Sequence, residues 1–245
     1  MGNLDRLRPH SKRCTPMLRV EDVALTYPDG TKALAGVDLK LQPGIFGLLG
    51  PNGAGKSSLM RLLATLQRPS RGNLQFDDIN LLSQPRRLRM RLGYLPQDFG
   101  VYPNVSAADL LDQLIVLKGI TRRHDRRAEA ERLLQLVNLW RVRDRAVANF
   151  SGGMRQRFGI AQALLGAPRL VIVDEPTAGL DPDERNRFLN LLAKIGEQVA
   201  VILSTHIVDD VTDLCPRMAM IVKGQVLLQG ALTADWVSQG QHHCS

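Results

Sequence analysis

Short apolar runs, some of them partly alternating with polar residues, dominate the first part of the chain and predict a strand-rich segment. The expected strands are residues 17–27, 36–41, 45–49 and 73–77. A helix is expected directly after residues 50–58 and should end near residue 67, because Pro69 and Gly72 follow. The pattern indicates β structure interrupted by one helical crossover.

Helical periodicity replaces this pattern between residues 97 and 166, where apolar residues recur every three or four positions. Ser106 is a suitable first residue for one helix. A second helix is expected at residues 121–139, and a third should begin near Ser151. We therefore expect a helical lobe inserted into the chain.

Strands and helices alternate again beyond Pro168. The expected strands are residues 170–173, 199–203, 218–222 and 225–229, the last two forming a hairpin around Gly224. The expected helices are residues 182–195 and 207–214. Buried strands that lack alternation and are separated by helices are typical of a parallel sheet covered on both faces. The predicted fold is α/β, with a mixed sheet core, an antiparallel β subdomain and an inserted α-helical lobe.

These patterns predict the domain boundaries. The expected units are a flexible basic leader at residues 1–16, one domain at 17–230 with its α/β core at 17–96 and 167–230 and its helical lobe at 97–166, and a short tail at 231–245.

Composition excludes some classes of protein. The chain has 245 residues, enough for one large domain, and its hydrophobic fraction of 44% is ordinary. No apolar stretch approaches 18 residues, so no segment is expected to span a membrane. Cys14, Cys215 and Cys244 are far apart and odd in number, which favours reduced thiols in the cytoplasm over a disulfide framework.

The formal net charge of the chain is +8, and arginines cluster at residues 86–91, 122–127 and 141–145. Such clusters suit either a solvated helix surface or an anionic partner, namely nucleic acid or a membrane face. No aromatic residues are interleaved with these arginines, and we expect no nucleic-acid partner.

Residues 50–58 read G-P-N-G-A-G-K-S-S and lie between a predicted buried strand and a predicted helix. This is the phosphate-binding pattern G-x-x-x-x-G-K-[ST]. Its three glycines are expected to adopt backbone angles that turn successive N–H groups toward one anion, and the helix N-terminus adds positive charge. Lys56 is expected to reach the outer phosphates and Ser57 to contact Mg²⁺. The candidate nucleotide-binding residues are Gly50, Pro51, Asn52, Gly53, Ala54, Gly55, Lys56, Ser57 and Ser58.

Two carboxylates, Asp174 and Glu175, end the predicted strand 170–173. Ligands of open α/β sheets bind at the carboxyl ends of the strands, so these side chains should face Lys56 and Ser57. Asp174 suits Mg²⁺ held through water, and Glu175 suits the polarisation of an attacking water. The alternative is an Asp-Glu helix cap, which the phosphate loop makes the weaker interpretation. A phosphate loop alone is compatible with kinases, GTPases, helicases and transport ATPases.

The chain from residue 17 to residue 230 resembles the ATP-binding subunit of an ABC transporter, a P-loop NTPase. The most specific motif is F-S-G-G-M at residues 150–154, which resembles the family signature L-S-G-G-Q. The Ser-Gly-Gly core, Ser151, Gly152 and Gly153, offers a hydroxyl and amides to an anion, although S-G-G alone is also a common helix entry.

The family's other landmarks occur in its usual order, and the resemblance implies their roles. Tyr27 would stack on adenine, and Gln97 would reach Mg²⁺ and the attacking water. Asp181, in A-G-L-D, would line the contact between two copies. His206 would touch the terminal phosphate. Glu175 would act as general base, with His206 and Gln97 completing the catalytic set.

Two residues depart from the family signature. Phe150 stands where Leu is usual and is expected to pack equally well as an apolar residue. Met154 stands where Gln is usual, which removes an amide from the signature helix. The Ser-Gly-Gly amides are expected to carry most of the phosphate contact, so we expect activity to survive.

The resemblance also implies partners and a location. Two ATPs would lie between two head-to-tail copies, either a homodimer or a pair of related ATPase subunits, and hydrolysis would open the dimer. The motion would pass through residues 97–102 to a separate integral-membrane permease, which places the protein on the cytoplasmic face of the membrane. The motifs at residues 96–100 and 152–155 resemble exporter-type ATPases for drug or polysaccharide efflux.

Two other function classes stay open at this point. One is an ABC-type ATPase without a transport role, such as a cluster-assembly ATPase; residues 57–150 are too few for the long coiled-coil arms of chromosome-maintenance ATPases. The other is a P-loop kinase, which would not explain the Ser-Gly-Gly segment. Nothing in the sequence names the transported cargo.

Overall fold

The computed structural model describes residues 18–100 and 103–232, which form ten strands and seven α-helices. The strands are β1 (Leu18–Thr26), β2 (Lys32–Leu41), β3 (Ile45–Leu49), β4 (Arg71–Phe76), β5 (Ile79–Asn80), β6 (Leu92–Leu95), β7 (Leu170–Asp174), β8 (Ala200–Thr205), β9 (Arg217–Val222) and β10 (Gln225–Ala231). The helices are α1 (Lys56–Leu63), α2 (Pro85–Arg89), α3 (Ala107–Leu117), α4 (Arg123–Leu136), α5 (Gly152–Ala163), α6 (Pro182–Gly196) and α7 (Val208–Leu214).

The central element is a six-stranded sheet with the order β10-β9-β3-β8-β7-β6. Every neighbouring pair from β9 to β6 is parallel, and β10 joins β9 as an antiparallel hairpin. All five residues of β3 and all five of β7 are buried, as expected for strands covered on both faces. The α/β fold with a mixed sheet is therefore confirmed.

The first part of the chain contributes a second, antiparallel sheet with the order β2-β1-β4-β5. Successive side chains of a strand point to opposite faces, so the central strands feed two separate cores. Phe46 and Leu48 of β3 pack with α1 and the antiparallel sheet. Ile45 and Leu49 of the same strand belong to the core on the other face, which includes side chains of α3 to α6.

Helices α3, α4 and α5 fall between β6 and β7, in the segment predicted to be a helical lobe. Ser106 caps α3, its hydroxyl accepting the backbone N–H of Asp109 at 3.1 Å, and Ser151 caps α5 in the same way. Both predicted helix starts are therefore confirmed. In the described part of the chain, no helix has the length and apolar character needed to cross a membrane.

Some predicted boundaries were wrong. Helix α1 ends at Leu63 rather than near residue 67, because Thr65 adopts a left-handed backbone (φ 58°) and the N–H of Leu66 bonds back to the carbonyl of Arg61 at 2.9 Å. Helix α2 and strand β6 were missed altogether, since each has five residues or fewer and offers little periodicity.

Several predictions concern residues outside the described ranges. They include the basic leader, residues 101 and 102, the tail beyond residue 232, Cys14 and Cys244. Among the described residues Cys215 is the one cysteine, and it is a free thiol. Burial, with a smaller contribution from the charge of Asp210, raises its pKa to about 12, so this thiol stays protonated and unreactive at neutral pH.

Candidate functional site

The loop between β3 and α1 has the shape that its glycines permit. Gly55 has a left-handed backbone (φ 103°), and a Cβ there would lie 2.6 Å from the carbonyl oxygen of Ala33. Gly50 is required for a different reason from the one predicted, because its φ is not positive but a Cβ would lie 2.3 Å from the carbonyl oxygen of Ile221. Only glycine fits either position without displacing backbone.

Residues from distant parts of the chain support this loop through backbone hydrogen bonds. The N–H of Gly224, in the β9–β10 turn, donates to the carbonyl of Ala54 at 2.9 Å. The N–H of Ala35 in β2 donates to the carbonyl of Gly224, also at 2.9 Å. The phosphate loop is thus held by the edges of both sheets.

Lys56 begins α1 and is 3% exposed. Its ammonium nitrogen donates to the carbonyl oxygens of Gly50 at 2.6 Å and Pro51 at 3.0 Å. The same nitrogen lies 3.0 Å from a carboxylate oxygen of Glu175. The structure therefore brings together the phosphate loop and the acidic end of β7, two segments more than 100 residues apart in the sequence.

Glu175 lies between Lys56 and His206. One carboxylate oxygen faces Lys56, and the other lies 2.9 Å from Nδ1 of His206. Its backbone is left-handed (φ 46°), which is unfavourable for a non-glycine residue and persists only where neighbours fix it. The carbonyl and hydroxyl oxygens of Ser204 accept the N–H of Glu175 at 3.0 and 3.2 Å and so supply that constraint.

Asp174 is 2% exposed and accepts a hydrogen bond from the hydroxyl of Ser204. Burial, and secondarily the negative charge of Asp174, raises the pKa of Tyr94 on the neighbouring strand β6. A carboxylate here and the half-buried hydroxyl of Ser57 are hard oxygen donors, which suit Mg²⁺. In the described ranges, no group of three or more His, Cys, Asp or Glu is placed to hold a metal ion.

Gln97 and Tyr27 come from two further segments of the chain. Gln97 is exposed two residues beyond β6, whose Leu95 pairs with Val173 of β7, so it lies at the same sheet edge as Asp174. The hydroxyl of Tyr27 lies 3.0 Å from the hydroxyl of Ser58, which places the ring beside the end of the loop.

If Tyr27 stacks on adenine, Tyr27→Ala should weaken ATP affinity about tenfold and reduce the preference for ATP over GTP more than it reduces turnover, since stacking contributes about 1–3 kcal/mol. Tyr27→Phe is the matched control, because it removes the contact with Ser58 and keeps the ring. Competition of ATP and GTP for a fluorescent nucleotide measures both effects. Unchanged nucleotide preference in Tyr27→Ala would assign the ring a structural role.

Residues 151–153 form a second group of site residues, in contact with the segment at residues 180–184. Ser151 and Gly152 are exposed at the start of α5. Gly152 faces the side chain of Leu180, and a Cβ on Gly153 would lie 2.2 Å from a carboxylate oxygen of Glu184. The signature segment and the start of α6 are therefore packed against each other.

Asp181, Phe150 and Met154 complete this second group. Asp181 is exposed and caps α6, its carboxylate accepting the N–H of Glu184 at 2.9 Å. Phe150 is buried edge-to-face against Phe158, with ring centroids 6.2 Å apart. Met154 packs its side chain against the core. Both departures from the usual signature are thus apolar packing positions.

Four polar residues near the site were missed in the sequence. Ser204 fixes Asp174, at the end of β7, and Glu175, the residue after it, as described above. Thr177, Thr205 and Asp210 are buried, and the hydroxyls of both threonines donate to the carboxylate of Asp210. Ser204 and Thr205 could have been recognised in the sequence, because they are a polar pair at the end of an otherwise apolar strand and a buried hydroxyl needs a hydrogen-bond partner.

Comparison with known proteins points to one family. A family model described as ABC transporter matches residues 34–178. The ABC transporter ATP-binding protein NatA of Bacillus subtilis is 34% identical over 91% of this chain and 93% of its own length. The daunorubicin/doxorubicin resistance ATP-binding protein DrrA of Streptomyces peucetius is 36% identical over 82% of this chain, which spans 62% of DrrA.

A relative associated with uptake is similar to the same degree. The methionine import ATP-binding protein MetN 2 of Rhodococcus jostii is 36% identical over 89% of this chain and 67% of its own length. Among solved structures, the ATP-binding cassette MJ0796, a dimer in a post-hydrolysis state bound to ADP and Pi, superimposes with a TM-score of 0.80. It is 25% identical, and the match covers 89% of this chain and 99% of the cassette.

Proposed function

Because the chain belongs to the ABC transporter family and is therefore an ATP-binding, ATP-hydrolysing subunit, we propose that it hydrolyses ATP between two copies and drives a separate membrane permease. The observation that carries the proposal is Glu175, held between Lys56 and His206 at the mouth of the phosphate loop. A carboxylate oriented from both sides and next to a phosphate site can accept a proton from an attacking water.

Phosphoryl transfer to water requires mainly positioning and charge stabilisation. Lys56 and the loop amides would hold the outer phosphates, and His206 would orient Glu175. Ser57, Asp174 and Gln97 would hold Mg²⁺, which offsets the negative charge of the phosphates. Glu175 would take the proton of the water.

The second group of site residues explains why two copies would be needed. Ser151, Gly152 and Asp181 are exposed, and the N-terminus of α5 offers free amides to an anion. Residues 151–153 of one copy would therefore close over ATP bound at residues 50–58 of the other. Such an arrangement is self-complementary about a two-fold axis. Since ATP would contact both copies, its hydrolysis would remove part of what holds them together.

The permease contact is proposed at an apolar patch formed by Leu66, Met90, Val116 and Leu117. These are four of the five large hydrophobic residues that are exposed in the described ranges, and Leu117 is 80% exposed. Single exposed apolar residues are common, whereas a cluster marks an interaction surface.

Hydrogen bonds between the residues next to this patch hold its three segments together. Arg89 bonds the hydroxyl and carbonyl of Thr65, at 2.9 Å each. Lys118 donates to the carbonyls of Arg89 at 3.3 Å and Leu92 at 3.2 Å, and burial lowers the pKa of its amine. The patch therefore bridges the helical segment and the sheet, where motion produced at Gln97 could reach a partner on the cytoplasmic face of the membrane.

The proposed direction of transport is export, because residues 96–100 and 152–155 resemble exporter-type ATPases of the drug- and polysaccharide-efflux kind. The cargo itself would be selected by the permease. A cluster-assembly ATPase is the alternative, and it would have no permease.

Affinity purification of the tagged chain from a detergent extract should recover a partner with about six hydrophobic spans of roughly 20 residues each. Leu117→Asp should abolish this recovery without changing ATP hydrolysis by the purified chain. Leu227→Asp is the matched control, because Leu227 is the fifth exposed hydrophobic residue and lies away from the patch on β10. A partner without membrane spans would favour the cluster-assembly alternative, and equal recovery with both variants would exclude the patch.

A further inference from the structure

Asp210 is a fully buried carboxylate on α7 that has no part in the chemistry described above. Three side chains donate to it. The hydroxyl of Thr177 lies 2.5 Å from one carboxylate oxygen, and that of Thr205 lies 3.1 Å from the same oxygen. The guanidinium of Arg185 lies 2.6 Å from the other oxygen.

Two of these donors belong to the loops that carry the proposed catalytic pair. Thr177 is two residues beyond Glu175, in the loop that leads to Asp181. Thr205 directly precedes His206, and its hydroxyl also accepts the N–H of Ile207 at 3.0 Å. The residues on both sides of His206 are therefore tied to each other and to Asp210.

A charged group without solvent is costly unless it is paired and fully hydrogen-bonded. Arg185, on α6, neutralises Asp210, and the two threonines satisfy its remaining lone pairs. Hydrogen bonds to an ionised acceptor are shorter and stronger than neutral ones. Asp210 thus fixes the position of one loop relative to the other more firmly than apolar packing would.

We infer that Asp210 is a positioning residue for ATP hydrolysis, because it holds the loops of Glu175 and His206 in a fixed position relative to each other. This inference rests on the proposed roles of Glu175 and His206. For charge neutralisation alone, Arg185 would suffice as the partner of Asp210. Asp210 also takes one hydroxyl from the loop next to Glu175 and one from the residue next to His206, so its bonds converge on the catalytic pair.

Asp210→Asn should lower turnover per bound nucleotide about 10- to 100-fold, the scale on which misplacement of catalytic groups acts, while affinity for MgATP stays that of the parent. Turnover is normalised to the amount of ATP that each preparation binds, so that misfolded material does not count. Val211→Ala is the matched control. Val211 is the next residue, is equally buried and packs against Gly47 of β3, so the variant lowers the melting temperature without touching either threonine.

Thr177→Val and Thr205→Val keep the test decisive if Asp210→Asn does not fold. Each should lower normalised turnover, and combining Thr177→Val with Thr205→Val should cost less than the product of the two single effects, since either change breaks the same link through Asp210. Normalised turnover in all of these variants equal to that of Val211→Ala would overturn the inference. Full turnover in Glu175→Gln would instead reject the proposed base, so the two failures are distinguishable.

Discussion

Replacing Glu175 by Gln should lower ATP turnover by about two to four orders of magnitude while ATP binding is retained. Glutamine keeps the size of the side chain and its hydrogen-bonding capacity toward Lys56 and His206, but it cannot accept a proton from water. It also removes one negative charge from the neighbourhood of the phosphates. ATP bound by this variant should therefore hold two copies together for long periods.

Phosphate release and light scattering with MgATP measure the two effects. Glu197→Gln is a suitable control, because Glu197 is exposed at the end of α6 and far from the loop in sequence. Turnover at the parental rate in Glu175→Gln would reject this residue as the base. A monomer in saturating ATP would reject the shared nucleotide site instead.

Lys56→Ala should abolish measurable nucleotide binding. The ammonium is buried and held in place by two loop carbonyls and Glu175, so it presents a fixed positive charge to the phosphates. Its loss also leaves the buried Glu175 carboxylate without its cation, which should destabilise the fold by about 1–3 kcal/mol or more. Isothermal titration calorimetry and thermal unfolding measure the two losses separately.

A double variant distinguishes lost binding from lost stability. In Lys56→Ala with Glu175→Gln the orphaned charge is gone, so the melting temperature should recover while binding stays absent. Lys194→Ala, at an exposed position of α6, controls for the loss of one positive charge. Tight ATP binding by Lys56→Ala would contradict the assignment of the phosphate loop.

The convergence of Lys56 and Glu175 could be predicted from the sequence because it depends on one general property of parallel sheets. Strands β3 and β7 are recognisable as short runs that are almost entirely apolar, and the residues at their carboxyl ends must emerge at the same edge of the sheet. The helix starts at Ser106 and Ser151 were predictable for a similar reason, since a capping hydroxyl acts over three residues.

Features set by tertiary contacts could not be predicted. Thr65 follows α1 in a left-handed conformation that is usually taken by glycine, so the end of this helix could not be predicted from the residue type. Asp210 is followed by an apolar helix residue and surrounded by other acids, and nothing local distinguishes it from an exposed position. The apolar patch of Leu66, Met90, Val116 and Leu117 is formed by three segments that lie apart in the sequence. The hydrophobic pattern within each segment does not show that the three are neighbours in the fold.

The support that Gly224 and Ala33 give the phosphate loop has a consequence for how such motifs are interpreted. Gly224 bonds Ala54, and Ala33 leaves no room for a side chain at Gly55, so the walls of the cradle come from β2 and from the last hairpin of the described chain. A fragment that ended before β9 would contain the complete G-x-x-x-x-G-K-S motif and yet lack Gly224, which holds the loop in its conformation. Binding of a triphosphate thus depends on the assembled sheets, and the motif alone does not provide it.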